Sequence, residues 1–178
     1  PDSEKVKTNL WIVLNPAEIQ DTYKKVKLIT MPDTRFYHCN IKTVNLIPAC
    51  VASQKAQEQG AQECVFHRGE EVTECAHSNV HIIKDGQFIT HPTDCLILPG
   101  IARRNLIEKC KQLDIPVQER AFTLSELMDA DEVIISSAGS FCIAAEAVDG
   151  KKVGGKAAEI LKSLQDSLMK DFLEECGE

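Results

Sequence analysis

Short apolar runs and helical stripes alternate along the chain. A compact apolar run bounded by turn residues is typical of a buried strand. An Asp-Gly pair between two such runs favours a tight hairpin turn, and the chain has one at Asp85-Gly86 and another at Asp149-Gly150. The pattern predicts strands over residues 9–14, 26–31, 62–67, 71–83, 87–90, 95–98, 116–121 and 132–135, with a further hairpin over 147–153.

Helices are predicted where apolar residues recur every three or four positions. The segment 44–60 has Pro48 near its first turn and Gly60 past its end, and both positions suit those residues. "TLSE", beginning at Thr123, is a capping box that opens a short helix. Further helices are predicted over 101–113 and 156–174. The alternation of elements indicates one mixed α/β domain.

Composition narrows the classes of partner. The 178-residue chain carries a net charge of −7 and no block of Lys and Arg, which argues against nucleic acid. No apolar run approaches the roughly 18 residues that a membrane span needs, so no membrane association is expected. "PDSEKVKTNL", at the start, lacks the apolar core of a secretory signal, and a cytoplasmic location is expected.

The eight cysteines and two neighbouring histidines offer little support for a metal site. No two cysteines form a CxxC pair, so free thiols in a reducing cytoplasm, mostly packed as small hydrophobes, are expected. His77 and His81 are four residues apart on a predicted strand, which separates them by roughly 13 Å. That separation is too large for one ion, and no metal is expected.

Two charged residues are candidates for chemistry. Lys42 stands where an extended stretch gives way to a predicted helix, and an amine at an element end can be held and desolvated for covalent catalysis. Glu74 lies on a predicted strand among small residues, which leaves room for a flat ligand to reach its carboxylate. The ordinary alternatives are an exposed lysine and an exposed strand glutamate.

Two turns are candidate phosphate sites. Gly100 precedes a predicted helix, so the backbone N–H groups of Ile101 and Ala102 have no intrahelical partner. "SSAGS", at 136–140, follows a buried strand, and its small residues let backbone and hydroxyl groups approach a phosphate. A plain helix start and a plain turn are the alternatives.

The four candidates together describe one ligand. A lysine that binds covalently, a carboxylate for a ring nitrogen and two N–H-rich turns for a phosphate are the parts of a pyridoxal phosphate site.

Four motifs in order give the chain a family resemblance. "CNIKTVNL", "HRGEEVTECAHSNVHIIKDGQFITHP", "LILPGIAR" and "VDGK" resemble successive motifs of the class IV pyridoxal phosphate aminotransferases, and the second resembles the bacterial D-amino acid enzymes. The resemblance implies a mixed α/β (α+β) fold, a strand-rich pseudo-barrel with flanking helices. It covers essentially all of 1–178, so we expect a single cofactor-binding large domain without the small N-terminal domain of the family.

The resemblance also implies a role for each candidate. Lys42 carries the cofactor and moves protons, Glu74 keeps the pyridine nitrogen protonated, and Leu98 packs against the ring. The substrates implied are an amino acid, such as D-alanine, and a 2-oxo acid, and the assembly implied is a homodimer. The phosphate would lie on the turns that contain Gly100, Ile101, Ala102, Ser137 and Ala138.

Two departures from the family and two other functions qualify this expectation. Ala102 and Ala138 stand where the family usually has hydroxyl residues; the backbone N–H groups survive, so a weaker phosphate site is expected. Aminodeoxychorismate lyase uses the same lysine and carboxylate, and a truncated, inactive cofactor domain is the third possibility. Arg35 is a further candidate that could pair with an acidic group, but an ordinary surface arginine is the preferred interpretation.

Overall fold

Residues 9–16 and 20–177 are described by the structure, which is a computed structural model. Within those ranges, ten strands and four helices alternate along the chain. In chain order they are β1 (Val26–Pro32), α1 (Ile47–Glu58), β2 (Glu63–Arg68), β3 (Glu71–Cys75), β4 (Asn79–Lys84), β5 (Gln87–Thr90), α2 (Ile101–Gln112), β6 (Val117–Glu119), β7 (Phe122–Thr123), α3 (Leu124–Asp129), β8 (Glu132–Ser136), β9 (Ile143–Val148), β10 (Lys151–Lys152) and α4 (Ala158–Cys176).

The strands form one mixed sheet in the order β6-β5-β4-β8-β9-β1-β2-β3-β7, with β10 paired to β9. Most neighbours are antiparallel, but β1 runs parallel to both β2 and β9, and β5 runs parallel to β6. The two predicted hairpins are confirmed: Asp85 and Gly86 join β4 to β5, and Asp149 and Gly150 join β9 to β10, all four with positive φ. The capping box at Thr123 is confirmed too, since its side chain accepts from the Glu126 N–H.

Alternation along the strands divides the core between the two faces of this sheet. Ile82 and Ile135 point into one cluster, together with residues of distant strands such as Val65 and Phe122, so the sheet curls around that cluster. The opposite face of β4 and β8 presents side chains such as Ile83 to α2 and α4. α1 covers β1 and β2 through a third, smaller cluster. This curled sheet with flanking helices confirms the fold class implied by the resemblance.

Three of the strand predictions are wrong in whole or part. Residues 9–14 form neither helix nor strand, and the side chains of Leu10–Leu14 are exposed. Residues 95–98 form a loop, in which the Leu96 N–H bonds to the Asp94 carboxylate and the Leu98 N–H bonds to the Glu74 carboxylate instead of to a neighbouring strand. The predicted strand 71–83 is interrupted at 76–78, where the chain passes from β3 to β4.

All eight cysteines lie in the described ranges and are free thiols, as expected. Five of them are buried as small apolar side chains, namely Cys39, Cys64, Cys75, Cys110 and Cys142. Among the helices of the described ranges, none is long and apolar enough to cross a bilayer.

Candidate functional site

Glu74 is buried in the middle of the molecule and is not the exposed strand glutamate of the alternative interpretation. It lies on β3 with 5% of its surface exposed. Its Oε1 accepts from Arg35 Nη1 at 2.5 Å, and its Oε2 accepts from Asn79 Nδ2 at 3.0 Å and from the Leu98 N–H at 2.9 Å. A carboxylate has about four lone-pair positions, so one remains on Oε1 for a further donor.

Arg35 is the partner that sequence interpretation placed on the surface, and that interpretation is wrong. Its side chain is 12% exposed, and Asp33, whose side chain is fully buried, binds it through two parallel hydrogen bonds of 2.9 Å. Asp33 also accepts from Arg68 and Thr73. The only sequence signal was the spacing of Asp33 and Arg35 directly after an apolar strand, which does not reveal that β3 carries a carboxylate opposite them.

Burial and charge act against one another in this cluster. Burial raises the pKa of Glu74 above its usual range, and the Arg35 guanidinium opposes that rise without cancelling it. Burial would also raise the pKa of Asp33, but the hydrogen bonds and the charge of Arg35 outweigh it and hold that pKa below its usual range. Glu74 is therefore the more basic of the two carboxylates and the better acceptor for a protonated ring nitrogen.

Asn79 is the residue at which the predicted parts of the site meet, and sequence interpretation missed it. Its Nδ2 donates to Glu74 and to the Leu98 carbonyl, and its Oδ1 lies so close to Gly100 that a Cβ there would overlap it. In the ladder between β4 and β8, Asn79 is directly opposite Ser136. The "SNV" of the resembling motif was the available signal.

Gly100 begins the first of the two predicted phosphate turns. It is the N-cap of α2, with no side chain bonded across the helix start, and the first intrahelical bond runs from the Arg104 N–H to the Gly100 carbonyl at 3.0 Å. The N–H groups of Ile101 and Ala102 are therefore left without intrahelical acceptors. A cleft of about 230 Å³ opens beside them, lined by Thr93, Pro99, Gly100, Ile101, Arg103 and Arg104.

The second predicted phosphate turn follows β8. The Ser136 hydroxyl bonds to Nε2 of the buried His81 at 2.8 Å, and the Ser137 and Ser140 hydroxyls bond to one another at 2.7 Å. Ala138 and Gly139 are exposed between them, which leaves their backbone open to a ligand. The pairing of Ser136 with Asn79, and the contact of Asn79 with Gly100, bring both turns to the same end of β4.

Lys42 lies in an exposed, irregular part of the chain. The lysine segment, residues 36–46, contains no helix or strand, and every residue in it except Cys39 is exposed. α1 begins only at Ile47, so Lys42 is not at a junction of strand and helix as predicted. A backbone bond from the Cys39 N–H to the Cys95 carbonyl, 2.9 Å, ties this segment to the loop that carries Leu98. Within the described residues, no hydrogen bond or ion pair joins Lys42 to Glu74.

The arrangement suits a flat ligand that has a ring N–H and an anionic tail. Glu74 offers a free acceptor position for the ring, and the starts of α2 and of the loop after β8 offer N–H groups for the tail. Lys42 is accessible but is not placed against these groups by any contact that the structure describes.

Comparisons with known proteins agree with this arrangement. D-alanine aminotransferase of Listeria monocytogenes serotype 4b (strain F2365) is 44% identical over 164 residues, which are 92% of this chain and 57% of that protein. The chain thus spans little more than half the length of this relative.

Two solved structures are similar to the fold. A putative 4-amino-4-deoxychorismate lyase from Legionella pneumophila is 28% identical with a TM-score of 0.78, over 87% of this chain and 58% of that one. The T.th. branched-chain amino acid aminotransferase, complexed with N-(5'-phosphopyridoxyl)-L-glutamate, is 22% identical with a TM-score of 0.73, over 82% of this chain and 51% of that one. The second likeness concerns the fold alone.

The sequence model of the family described as amino-transferase class IV matches residues 2–148, which is most of the chain. The matched residues include nine of the ten strands described, the buried Glu74 and the two turns beside Asn79. The chain therefore belongs to the class IV aminotransferase family.

Proposed function

We propose that this chain is the cofactor-binding domain of a pyridoxal-phosphate-dependent aminotransferase. The enzyme transfers an amino group from an amino acid, D-alanine being the proposed example, to a 2-oxo acid. The observation that carries the proposal is the buried Glu74 carboxylate, which keeps one acceptor position free beside two N–H-rich turns. The choice of a D-amino acid is supported by the 44% identity to the Listeria monocytogenes D-alanine aminotransferase.

Each residue has a defined part in this function. Pyridoxal phosphate, when bound, supplies a ring that withdraws electrons from the carbon that loses a proton. Glu74 keeps the ring nitrogen protonated through the free position on Oε1, and Leu98 packs against the ring. Lys42 would hold the cofactor covalently in the resting enzyme, and its amine, once released, would remove the α-proton of the amino acid as a general base.

The phosphate is held mainly by the backbone. The N–H groups of Ile101 and Ala102 at the start of α2, and those around Ser137 and Ala138, are its proposed donors. Because Ala102 and Ala138 lack hydroxyl groups, the affinity for the phosphate depends on these N–H groups and on the helix dipole.

A homodimer in the cytoplasm is the proposed state of the complete enzyme. The family resemblance supports the dimer, and the eight free thiols are in keeping with a reducing compartment.

The test is to locate the covalent attachment. The chain is incubated with pyridoxal phosphate, treated with borohydride and digested, and the labelled peptide is identified by mass spectrometry. We expect the label on Lys42, and we expect Lys42→Ala to lose it while Lys151→Ala, a change at another exposed lysine, keeps it. Label on a different lysine, or no label on any, would contradict the proposal and favour an inactive domain.

A second assay separates the reaction types. D-alanine is supplied with 2-oxoglutarate, and pyruvate is measured against glutamate formed; aminodeoxychorismate is supplied alone, and pyruvate release is measured. Transamination without pyruvate release from aminodeoxychorismate is the expected result. The opposite pattern would assign the chain to the lyase branch. The 28% identity to the Legionella pneumophila protein supports this alternative.

A further inference from the structure

We propose that Arg35 is a positioning residue that keeps the Glu74 carboxylate ionised and in one orientation. The inference deepens the proposed function, on which it rests, by naming the group that fixes the carboxylate facing the ring nitrogen. Arg35 itself touches neither the substrate nor the ring; it acts through Glu74.

Arg35 is held so that its guanidinium cannot turn away from Glu74. Asp33 binds Nε and Nη2 in parallel, the Leu96 carbonyl accepts from Nη2 at 3.2 Å, and the Phe66 ring lies 4.7 Å beneath Cζ. These contacts leave Nη1 directed at Glu74 Oε1, 2.5 Å away. A guanidinium fixed by a bidentate carboxylate and an aromatic face is a rigid donor, which a lysine ammonium could not reproduce.

The Glu74 carboxylate has a positively charged partner only if Arg35 is paired with it. Asp33 has a second guanidinium partner in Arg68, whose Nε lies 3.2 Å from Oδ2. Two carboxylates and two guanidinium groups therefore share the cluster. The other groups at Glu74 are neutral, namely the Asn79 amide and the Leu98 N–H. Arg35 is thus the cation in contact with Glu74; it is shared with Asp33, to which Arg68 adds a second guanidinium.

The consequence for chemistry lies in the protonation of Glu74. Only 5% of its surface remains exposed, and burial favours the neutral acid. A protonated carboxyl carries an O–H donor and no negative charge, so it would no longer favour the protonated form of a ring nitrogen. Removing the Arg35 charge should therefore convert Glu74 from an acceptor to a donor at a higher pH than in the unaltered chain.

The experiment measures the titration of Glu74 directly in the cofactor-free chain. The side-chain carboxyl carbons of glutamate are labelled with carbon-13, the Glu74 resonance is assigned with Glu74→Gln, and its shift is followed against pH. We expect Arg35→Gln to raise the Glu74 pKa by about one to three units, the range for loss of an adjacent opposite charge. Arg35→Lys, which keeps the charge on a flexible stem, should raise it by less.

Arg68→Gln is the matched control. It removes a guanidinium from the same cluster and from the same Asp33, but not from Glu74. We expect it to move the Glu74 titration by less than half as much as Arg35→Gln. An equal effect of the two changes would show a general loosening of the cluster and would overturn the assignment.

A change in the Glu74 pKa can be distinguished both from a loss of folding and from a failure of cofactor attachment. Circular dichroism checks each variant; if Arg35→Gln does not fold, Arg35→Met, which also removes the charge, takes its place, and an unchanged Glu74 pKa in the folded variant overturns the proposal. Since no cofactor is present, the titration result stands even if the labelling of Lys42 fails, so failure of the one is distinguishable from failure of the other.

Discussion

The two sides of the candidate site are organised in opposite ways. The carboxylate cluster, formed by Asp33, Arg35, Glu74 and Asn79, is held by charged and neutral hydrogen bonds between β3, β4, the segment after β1 and the loop before α2. The lysine segment, by contrast, is exposed and has no regular structure. A buried ionised group requires partners on every side, whereas a covalent nucleophile requires access. The carboxylate cluster is therefore fixed by the fold, whereas the position of Lys42 in the site depends on the groups that contact it.

Removing Asp33 should have the greatest effect on this contrast. Loss of one partner from a buried ion pair costs about 3–5 kcal/mol, and we expect Asp33→Ala to lower the free energy of unfolding by about 3 kcal/mol, because Glu74 still compensates Arg35. Urea denaturation measures the change. Glu108→Ala removes an exposed carboxylate and should change stability by less than about 0.5 kcal/mol. Equal urea midpoints for the two variants would mean that the cluster does not stabilise the fold.

A double-mutant cycle between Asn79 and Gly100 comes next. Gly100→Ala forces a Cβ into the Asn79 side chain and should cost about 1–3 kcal/mol, although the φ of −63° at Gly100 imposes no backbone strain. Asn79→Ala removes the amide that donates to both the Glu74 carboxylate and the Leu98 carbonyl, and should cost about 1–3 kcal/mol, although the Leu98 N–H and the Gly100 N–H still donate to these two acceptors. In the Asn79→Ala background the overlap is gone, so Gly100→Ala should cost at least about 1 kcal/mol less than alone. Additive costs would show that the two residues are not in contact.

The third prediction concerns the dependence of stability on pH, which should show the effect of the buried His81. Burial, with a smaller contribution from Arg103, lowers the pKa of His81 to about 3, below the ordinary value of about 6.5. Between pH 6.5 and 3, His81 is therefore protonated in the unfolded chain but neutral in the folded chain. The free energy of unfolding falls as the pH falls from about 6.5 towards 3, by about 1.4 kcal/mol per pH unit. His81→Gln should flatten this slope, measured by urea denaturation at several pH values. Thr43→Ala, in the exposed lysine segment, removes no titratable group and should leave the slope as it is; a slope altered equally by both changes would contradict the assignment.

Lys42 should matter least for stability. Because its side chain is exposed in an irregular segment, Lys42→Ala should change the free energy of unfolding by less than about 0.5 kcal/mol, while it removes the covalent attachment proposed above. Thermal unfolding of the cofactor-free chain measures this. A substantial loss of stability would show that Lys42 is packed, and would remove the contrast between the two sides of the site.

Local patterns predicted the elements whose information lies within a few residues. The Asp-Gly turns, the capping box at Thr123 and the apolar stripe of α4 each depend on neighbours in sequence, and each is present. The predictions for 9–14 and 95–98 were wrong because an apolar run shows that a segment could be a strand, but not that another strand is available to pair with it. Pairing is a property of the whole sheet.

The candidate site shows the same division between what neighbouring residues determine and what the whole fold determines. Motif order in the sequence was enough to name Lys42, Glu74, Leu98 and the two turns as candidates, because each has a recognisable local setting. That Arg35 is buried against Glu74, and that Asn79 joins Glu74 to Gly100, depended on the curl of the sheet, which brings β1, β3 and β4 together across long separations in the chain. The order of residues established which chemical groups are available. Which of those groups become partners was settled by the fold, because hydrogen bonds and desolvation act through space and not along the chain.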